Sequence, residues 1–267
     1  MKPLIVMLFL VPMFCFDVTA GAQNRSTDEQ ARKLATTVVA MATNIPGSQL
    51  NTKRREDLEA DLFGFQTKIV GHIQKAAHFY SVVEGGYQFT PNEVTYSPPA
   101  NQWLVAVSAT GDRTYGLEGF AKGEESFNEL VADASGKIRN VAEAEIFTRF
   151  YLTAVYGNAD SVVYEELRLR HKAEEHFVGY SDSQEPIARK EKRFRTWWTA
   201  FKAEGPARLA PDTKIEPGEQ YRVTVNVLEM TVGRPPVLWR WSIEVHGNGA
   251  TKLLAKQPIF PARSKSR

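Results

Sequence analysis

The chain has 267 residues, 43% of them hydrophobic and 24% charged, with 33 Lys plus Arg against 31 Asp plus Glu. At roughly 150 residues per domain, this length builds one or two domains around a core that needs no disulfide, and the composition excludes a collagen-like or wholly disordered chain. A formal net charge of +2 is too small to mark the whole protein as a nucleic-acid binder, so no nucleic-acid partner is expected and any anion-binding surface must be local.

Met1-Lys2 is a short basic start, Leu4 to Phe16 is an apolar run broken only by Pro12, and Ala20-Gly21-Ala22 is an exit of small residues. This order predicts a secretory signal peptide over residues 1–22 and a mature start at Gln23. The apolar run falls short of the roughly 20 residues that a spanning helix needs. The single cysteine, Cys15, leaves with the signal. The expected mature protein is therefore secreted or periplasmic, has no thiol chemistry, and is held together by its core alone.

Ser26-Thr27-Asp28-Glu29 reads as a capping box. It predicts a helix with Ala31, Leu34, Ala35, Val38, Met41, Ala42 and Ile45 on one stripe, ended by Pro46-Gly47. A second stripe (Leu58, Leu62, Phe65, Ile69, Ile73, Ala76 and Tyr80) predicts another helix, which Gly64 and Gly71 can split. Lys53 to Asp57 read as its charged first turn, although cations there oppose the helix dipole. From Gly85-Gly86 the pattern changes to short runs at Tyr87 to Phe89, Val94 to Tyr96, Trp103 to Ala109 and Tyr115 to Phe120. These predict an antiparallel meander of three or four strands. Helices are predicted again at Glu124 to Ala134, from the capping box Asn140-Val141-Ala142-Glu143 to about Gly157, from Ser161 to about Phe177, and from Pro186 to about Ala203.

In the last third, Tyr221, Val223, Val225 and Val227 alternate with polar residues, and Val237, Trp239, Trp241, Ile243 and Val245 do the same. That is a sheet with one apolar and one mainly polar face, covered on one side, with Trp239 and Trp241 pointing inward rather than forming a sugar-stacking platform. Gly247-Asn248-Gly249 is a turn. The expected fold class is α+β, antiparallel β-meanders with several packed amphipathic helices. It forms one domain over 23–267, or two subdomains dividing near 136.

The usual catalytic patterns fail on spacing. His171 and His176 are five residues apart, which on a helix is roughly 140°, so they cannot share a metal. Gly179-Tyr180-Ser181-Asp182-Ser183 lacks the second glycine of a nucleophile elbow, and Gly136-Lys137 is followed by Ile138 rather than by the hydroxyl residue of a P-loop. Neither a metal nor a cofactor is expected. The most unusual feature is the helix after Pro186. Arg189, Lys190, Lys192, Arg193 and Arg195 are opposed only by Glu191 and backed by Ile187, Phe194, Trp197, Trp198 and Phe201. A cationic face backed by aromatics suits an anionic membrane surface or a polyanion. The expected function is that of an exported, non-catalytic binding module; the alternative is a secreted hydrolase whose site is assembled from scattered residues.

Overall fold

The computed structural model describes residues 18–60, 64–85, 87–90, 93–96, 101–157, 162–179, 185–231 and 234–261. Met1 to Asp17, most of the expected export signal, lie outside the described residues, as do Leu62 and Ser161. In chain order the elements are α1 (Val18–Thr43), a single 3-10 turn (Gly47–Gln49), β1 (Leu50–Arg54), α2 (Glu56–Glu59), α3 (Lys68–Ala76), β2 (Ala77–Glu84), β3 (Tyr87–Thr90), β4 (Glu93–Tyr96), β5 (Gln102–Ser108) and β6 (Thr114–Gly116). They continue with α4 (Gly123–Ala134), α5 (Val141–Tyr156), β7 (Val162–Val163), α6 (Glu166–Gly179), α7 (Ile187–Glu204), β8 (Asp212–Glu216), β9 (Gln220–Glu229), β10 (Val237–His246) and β11 (Thr251–Phe260).

Among the described residues every strand pair is antiparallel, and with the packed helices this makes the protein α+β. The first sheet has the order β1-β2-β5-β6, and the second has the order β11-β10-β9-β7. β8 shares the outer edge of β9 with β7: β7 meets Asn226 and Val227, while β8 meets Gln220 to Thr224. β3 and β4 form a separate hairpin. The expected meander is thus divided. Its last two runs pair with each other, but β5 takes β2 as its second neighbour.

Successive side chains of a strand point to opposite faces, and this period of two sets the layers. On the first sheet, Tyr80, Val82, Trp103, Val105 and Val107 face α1 and pack on Ala31, Ala35 and Val39. Ala77, Phe79, Leu104 and Ala106 face the other way, into a layer made by α3, α4 and α5. Val223, Val225, Val227, Trp241, Ile243 and Val245 of the second sheet cover the far side of that same layer. The outer face of the second sheet carries Leu228, Leu238 and Phe260, which pack on Leu169, Ala173 and Phe177 of α6 and on Phe194, Trp197 and Phe201 of α7. The order is helix, sheet, helices, sheet, helices. A strand covered on both sides is apolar on both faces. That is why Trp103 to Val107 are all buried without alternation, and why the second sheet is not polar along the whole of its outer face.

The inner layer holds the largest side chains. Phe150 is fully buried, with ring centroids 5.5 Å from Phe65, 6.0 Å from Phe79, 6.1 Å from Phe127 and 6.4 Å from Phe147. Such edge and tilted pairs add about 0.5–1.5 kcal/mol each beyond burial. The buried hydroxyl of Tyr151 donates to Glu124 at 3.0 Å. α4 is tied to the second sheet by a two-way amide: Asn128 Nδ2 donates to the Thr251 carbonyl at 3.0 Å, and the Thr251 amide donates to Asn128 Oδ1 at 2.8 Å. The Ile138 amide donates to the Gly247 carbonyl at 2.7 Å, so the β10–β11 turn is docked on the α4–α5 connection.

Several local expectations change. α1 starts at Val18, so Ser26 lies inside the helix and is not its cap. The stripe expected to run from Leu58 to Tyr80 is a helix only to Ala76; Phe79, Tyr80 and Val82 belong to β2, where strand pairing with β5 overrides the helical spacing. Lys53 and Arg54 sit on β1, and α2 begins with Glu56 and Asp57, so the acids rather than the cations face the helix N-terminus, as its dipole favours. Asn140 caps α5 as expected, accepting from the Glu143 amide at 2.9 Å, but the Glu143 carboxylate accepts from the amide of Arg139, one residue before the cap, at 2.9 Å rather than from that of Asn140.

Candidate functional site

α7 follows Pro186, whose backbone, φ −57° and ψ 135°, is an extended entry into the helix. Lys190, Phe194, Trp197 and Phe201 recur at steps of four, three and four residues, one stripe of a 3.6-residue helix. All four are buried. Trp197 donates its indole hydrogen to the Pro236 carbonyl at 3.1 Å and meets Phe260 edge-on with centroids 5.2 Å apart. Lys190 therefore does not share the outer surface with its neighbouring cations: it is 7% exposed and occupies the first position of the core stripe.

The other four cations divide. Arg193 is half-buried, paired with Glu185 at 3.0 Å, and its guanidinium lies 5.5 Å from the Phe177 ring centroid. Arg189, Lys192 and Arg195 are exposed. Arg195 pairs with Glu191 at 2.9 Å, one turn back, and between two exposed side chains such a pair is worth only about 0.3–0.5 kcal/mol. Lys192, Arg195, Thr196, Thr199, Ala200 and Ala203 line a shallow depression of about 700 Å³ along the helix. Ile187, in the first turn, is 64% exposed. On the apolar side, Trp198 is half-buried and stacks on Phe201 with centroids 5.3 Å apart.

A second polar cluster lies where α1 meets the first sheet. Arg54 of β1 is its hub. Nε and Nη2 grip the Glu59 carboxylate at 2.6–3.1 Å, Nη1 reaches Asp28 of α1 at 3.2 Å, and Nη2 donates to His78 Nδ1 at 2.8 Å. The same His78 Nδ1 lies 3.4 Å from Glu59 Oε2, so the imidazole sits between the guanidinium and the carboxylate. Glu59 also accepts from the Phe79 amide at 3.0 Å, and the buried Tyr80 hydroxyl donates to Asp28 at 2.9 Å. Burial pushes the Asp28 carboxyl up, but the Tyr80 hydrogen bond and the guanidinium groups of Arg32 and Arg54 outweigh it and hold Asp28 below its usual range. Burial, and then the bond to Asp28, push the Tyr80 phenol up. These groups satisfy one another and fasten α1 and α2 to the sheet.

His78 also lines a depression of about 530 Å³ with Asp28, Ser108 and Thr110. The Ser108 hydroxyl donates to Asp112 at 2.7 Å and accepts from the Asp112 and Arg113 amides at 3.1 and 3.0 Å. Its hydrogen is committed to a turn, not to an imidazole base. The charged run at Lys53 to Asp57 was the one sequence signal for this cluster; the partners Asp28, His78 and Tyr80 come from two other elements.

His171 is exposed, whereas His176 is buried and its Nε2 lies 2.9 Å from the Arg234 carbonyl, to which it donates. Among the described residues no three His, Cys, Asp or Glu side chains converge as a metal site would need. Trp241 is buried and Trp239 packs half-buried against the inner layer, so both rings face inward. Comparison of the chain with protein-family models, with curated proteins and with solved structures finds no match.

Proposed function

We propose that this is an exported, non-catalytic binding module that docks on an anionic membrane surface through the outer side of α7. One observation carries the reading. The helix is fixed by its aromatic stripe, yet it turns Arg189, Lys192 and Arg195 to solvent, with Ile187 exposed in its first turn. Cations set on a rigid helix lose little freedom on binding and gain about 1 kcal/mol each beside anionic headgroups, and an exposed Ile side chain can enter the headgroup boundary. Export rests on the basic start, apolar run and Ala20-Gly21-Ala22 exit; cleavage after Ala22 keeps Asp28, Ala31, Ala35 and Val39, which hold α1 on the first sheet, in the mature chain.

Vesicle co-sedimentation tests the docking surface. The protein is expected to bind vesicles containing phosphatidylglycerol and not pure phosphatidylcholine. The triple variant R189Q/K192Q/R195Q is expected to bind about 100-fold more weakly, from three cations at about 1 kcal/mol each. Equal binding to neutral vesicles, or unchanged binding of the variant, overturns the reading; retention on heparin without retention on vesicles reassigns the face to a soluble polyanion. Cell fractionation with N-terminal sequencing tests export, with Gln23 expected as the first residue.

A further inference from the structure

Of the asparagines in the chain, only Asn248 is followed by glycine. Glycine has no Cβ to crowd its own backbone nitrogen, so that nitrogen can close on the Asn248 side chain. Asn248 is exposed at the tip of the β10–β11 turn, between the buried Gly247 and Gly249. The His246 amide donates to the Ala250 carbonyl at 2.8 Å, and the Gly249 amide donates to the His246 carbonyl at 2.8 Å. With Gly249 left-handed at φ +86°, this is a three-residue hairpin loop that ends in a glycine bulge.

Ring closure requires the Gly249 nitrogen to give up its hydrogen and meet Asn248 Cγ. In the folded turn both groups are engaged elsewhere. The Gly249 N–H is held by the His246 carbonyl, and Asn248 Oδ1 accepts from the Ala250 amide at 3.0 Å. The flanking backbone is held as well. Gly247 donates to the Glu219 carbonyl at 2.8 Å and accepts from the Ile138 amide at 2.7 Å. Gly249 lies against Ile69 and Val131, and its carbonyl accepts from the Thr251 hydroxyl at 2.9 Å. The Asn248–Gly249 peptide therefore cannot rotate into the reactive geometry without carrying Gly249 out of its seat.

We propose that Asn248 is a site of spontaneous deamidation that the docked turn holds in check, and that its conversion to isoaspartate undocks the turn permanently. The chemistry needs only water. Hydroxide takes the Gly249 N–H proton, and the nitrogen bonds to Asn248 Cγ. The side-chain amide leaves as ammonia with a proton from water, which restores the hydroxide. Water then opens the five-membered imide. Cleavage of the new bond to Cγ gives aspartate; cleavage of the original peptide bond gives isoaspartate, whose chain runs through Cβ and Cγ. Isoaspartate makes the main chain one carbon longer inside the loop, so Gly247 and Thr251 cannot both keep their bonds to Ile138 and Asn128. Aspartate keeps the chain length and the Oδ1 acceptor. The site is separate from the outer side of α7, so the vesicle experiment does not bear on it.

Peptide mapping by mass spectrometry tests the gating, on folded protein in mildly alkaline buffer beside the same protein unfolded in guanidinium. The unfolded chain is expected to deamidate at Asn248 ahead of its other asparagines. The folded protein is expected to react there at least about 10-fold more slowly, because only the opened fraction is reactive. Asn128→Ala, which cuts both bonds to Thr251, is expected to raise the folded rate about 10-fold and to leave the unfolded rate unchanged. Trp197→Phe, which loses the Pro236 bond in the outer core, is expected to leave both rates unchanged, and so separates opening of the turn from unfolding of the protein. The isoaspartate form, isolated by ion exchange, is expected to lose hydrogen-exchange protection at the Ile138 and Thr251 amides about 10-fold, whereas Asn248→Asp retains it. Equal rates in folded and unfolded protein, an unchanged rate in Asn128→Ala, equal acceleration by Trp197→Phe, or parental protection in the isoaspartate form overturns the proposal.

Discussion

The docking of the β10–β11 turn on the helices of the inner layer is open to a sharp test at Gly249. Its φ is +86°, and a Cβ placed there would lie 2.5 Å from Ile69 Cδ1 of α3 and 2.6 Å from Val131 Cγ1 of α4. Gly218, in the β8–β9 turn, has nearly the same backbone, φ +79°, but a Cβ there meets nothing within 4 Å. Gly218→Ala therefore costs only the left-handed backbone, about 1–2 kcal/mol. Gly249→Ala costs that plus a methyl forced between two buried branched side chains, about 1–3 kcal/mol more. Urea unfolding followed by circular dichroism measures both, and the excess for Gly249→Ala amounts to a further fall in Tm of several degrees for a chain of this size. Equal destabilisation of the two variants, within about 0.5 kcal/mol, would refute the claim that the turn is packed into the helical layer.

Two further outcomes follow from the packing and the charges. Phe150→Ala, which empties the centre of the aromatic cluster, is expected to cost about 3–5 kcal/mol in the same unfolding assay, whereas Leu167→Ala, at a side chain 75% exposed, is expected to stay within about 0.5 kcal/mol. Asp28→Asn should lower stability by about 1 kcal/mol at pH 7, because it removes a charged acceptor from Tyr80, Arg32 and Arg54. The Asp28 carboxyl is held down in the folded state, so its stabilisation is fully present above the unfolded value near 3.9 and disappears as the pH falls through the folded one. The gap between Asp28→Asn and the parent should therefore be constant above about pH 5 and narrow steadily as the pH falls below about 3.9, and a gap that does not change over that fall would show that the carboxylate charge is not what matters.

Local chemistry alone determined the elements whose own residues decide them. α5 and α7 follow from apolar spacing with a cap or a proline at the start, α4 from apolar spacing alone, and β9 and β10 from alternation. The phase of α7 was also legible: Lys190 stands four residues before Phe194 on the stripe that continues to Trp197 and Phe201, and so belongs inside with them. Tertiary structure decided the rest. β1, β8 and β11 carry polar or irregular patterns, and β11 contains Pro258 and two bulges; each is a strand because a neighbour offers it a ladder. Phe79 and Tyr80 continue a helical stripe in sequence, yet β5 draws them into a sheet buried on both faces. Periodicity reports which face of an element avoids water, whereas the identity of what covers that face depends on contacts between residues far apart in the chain.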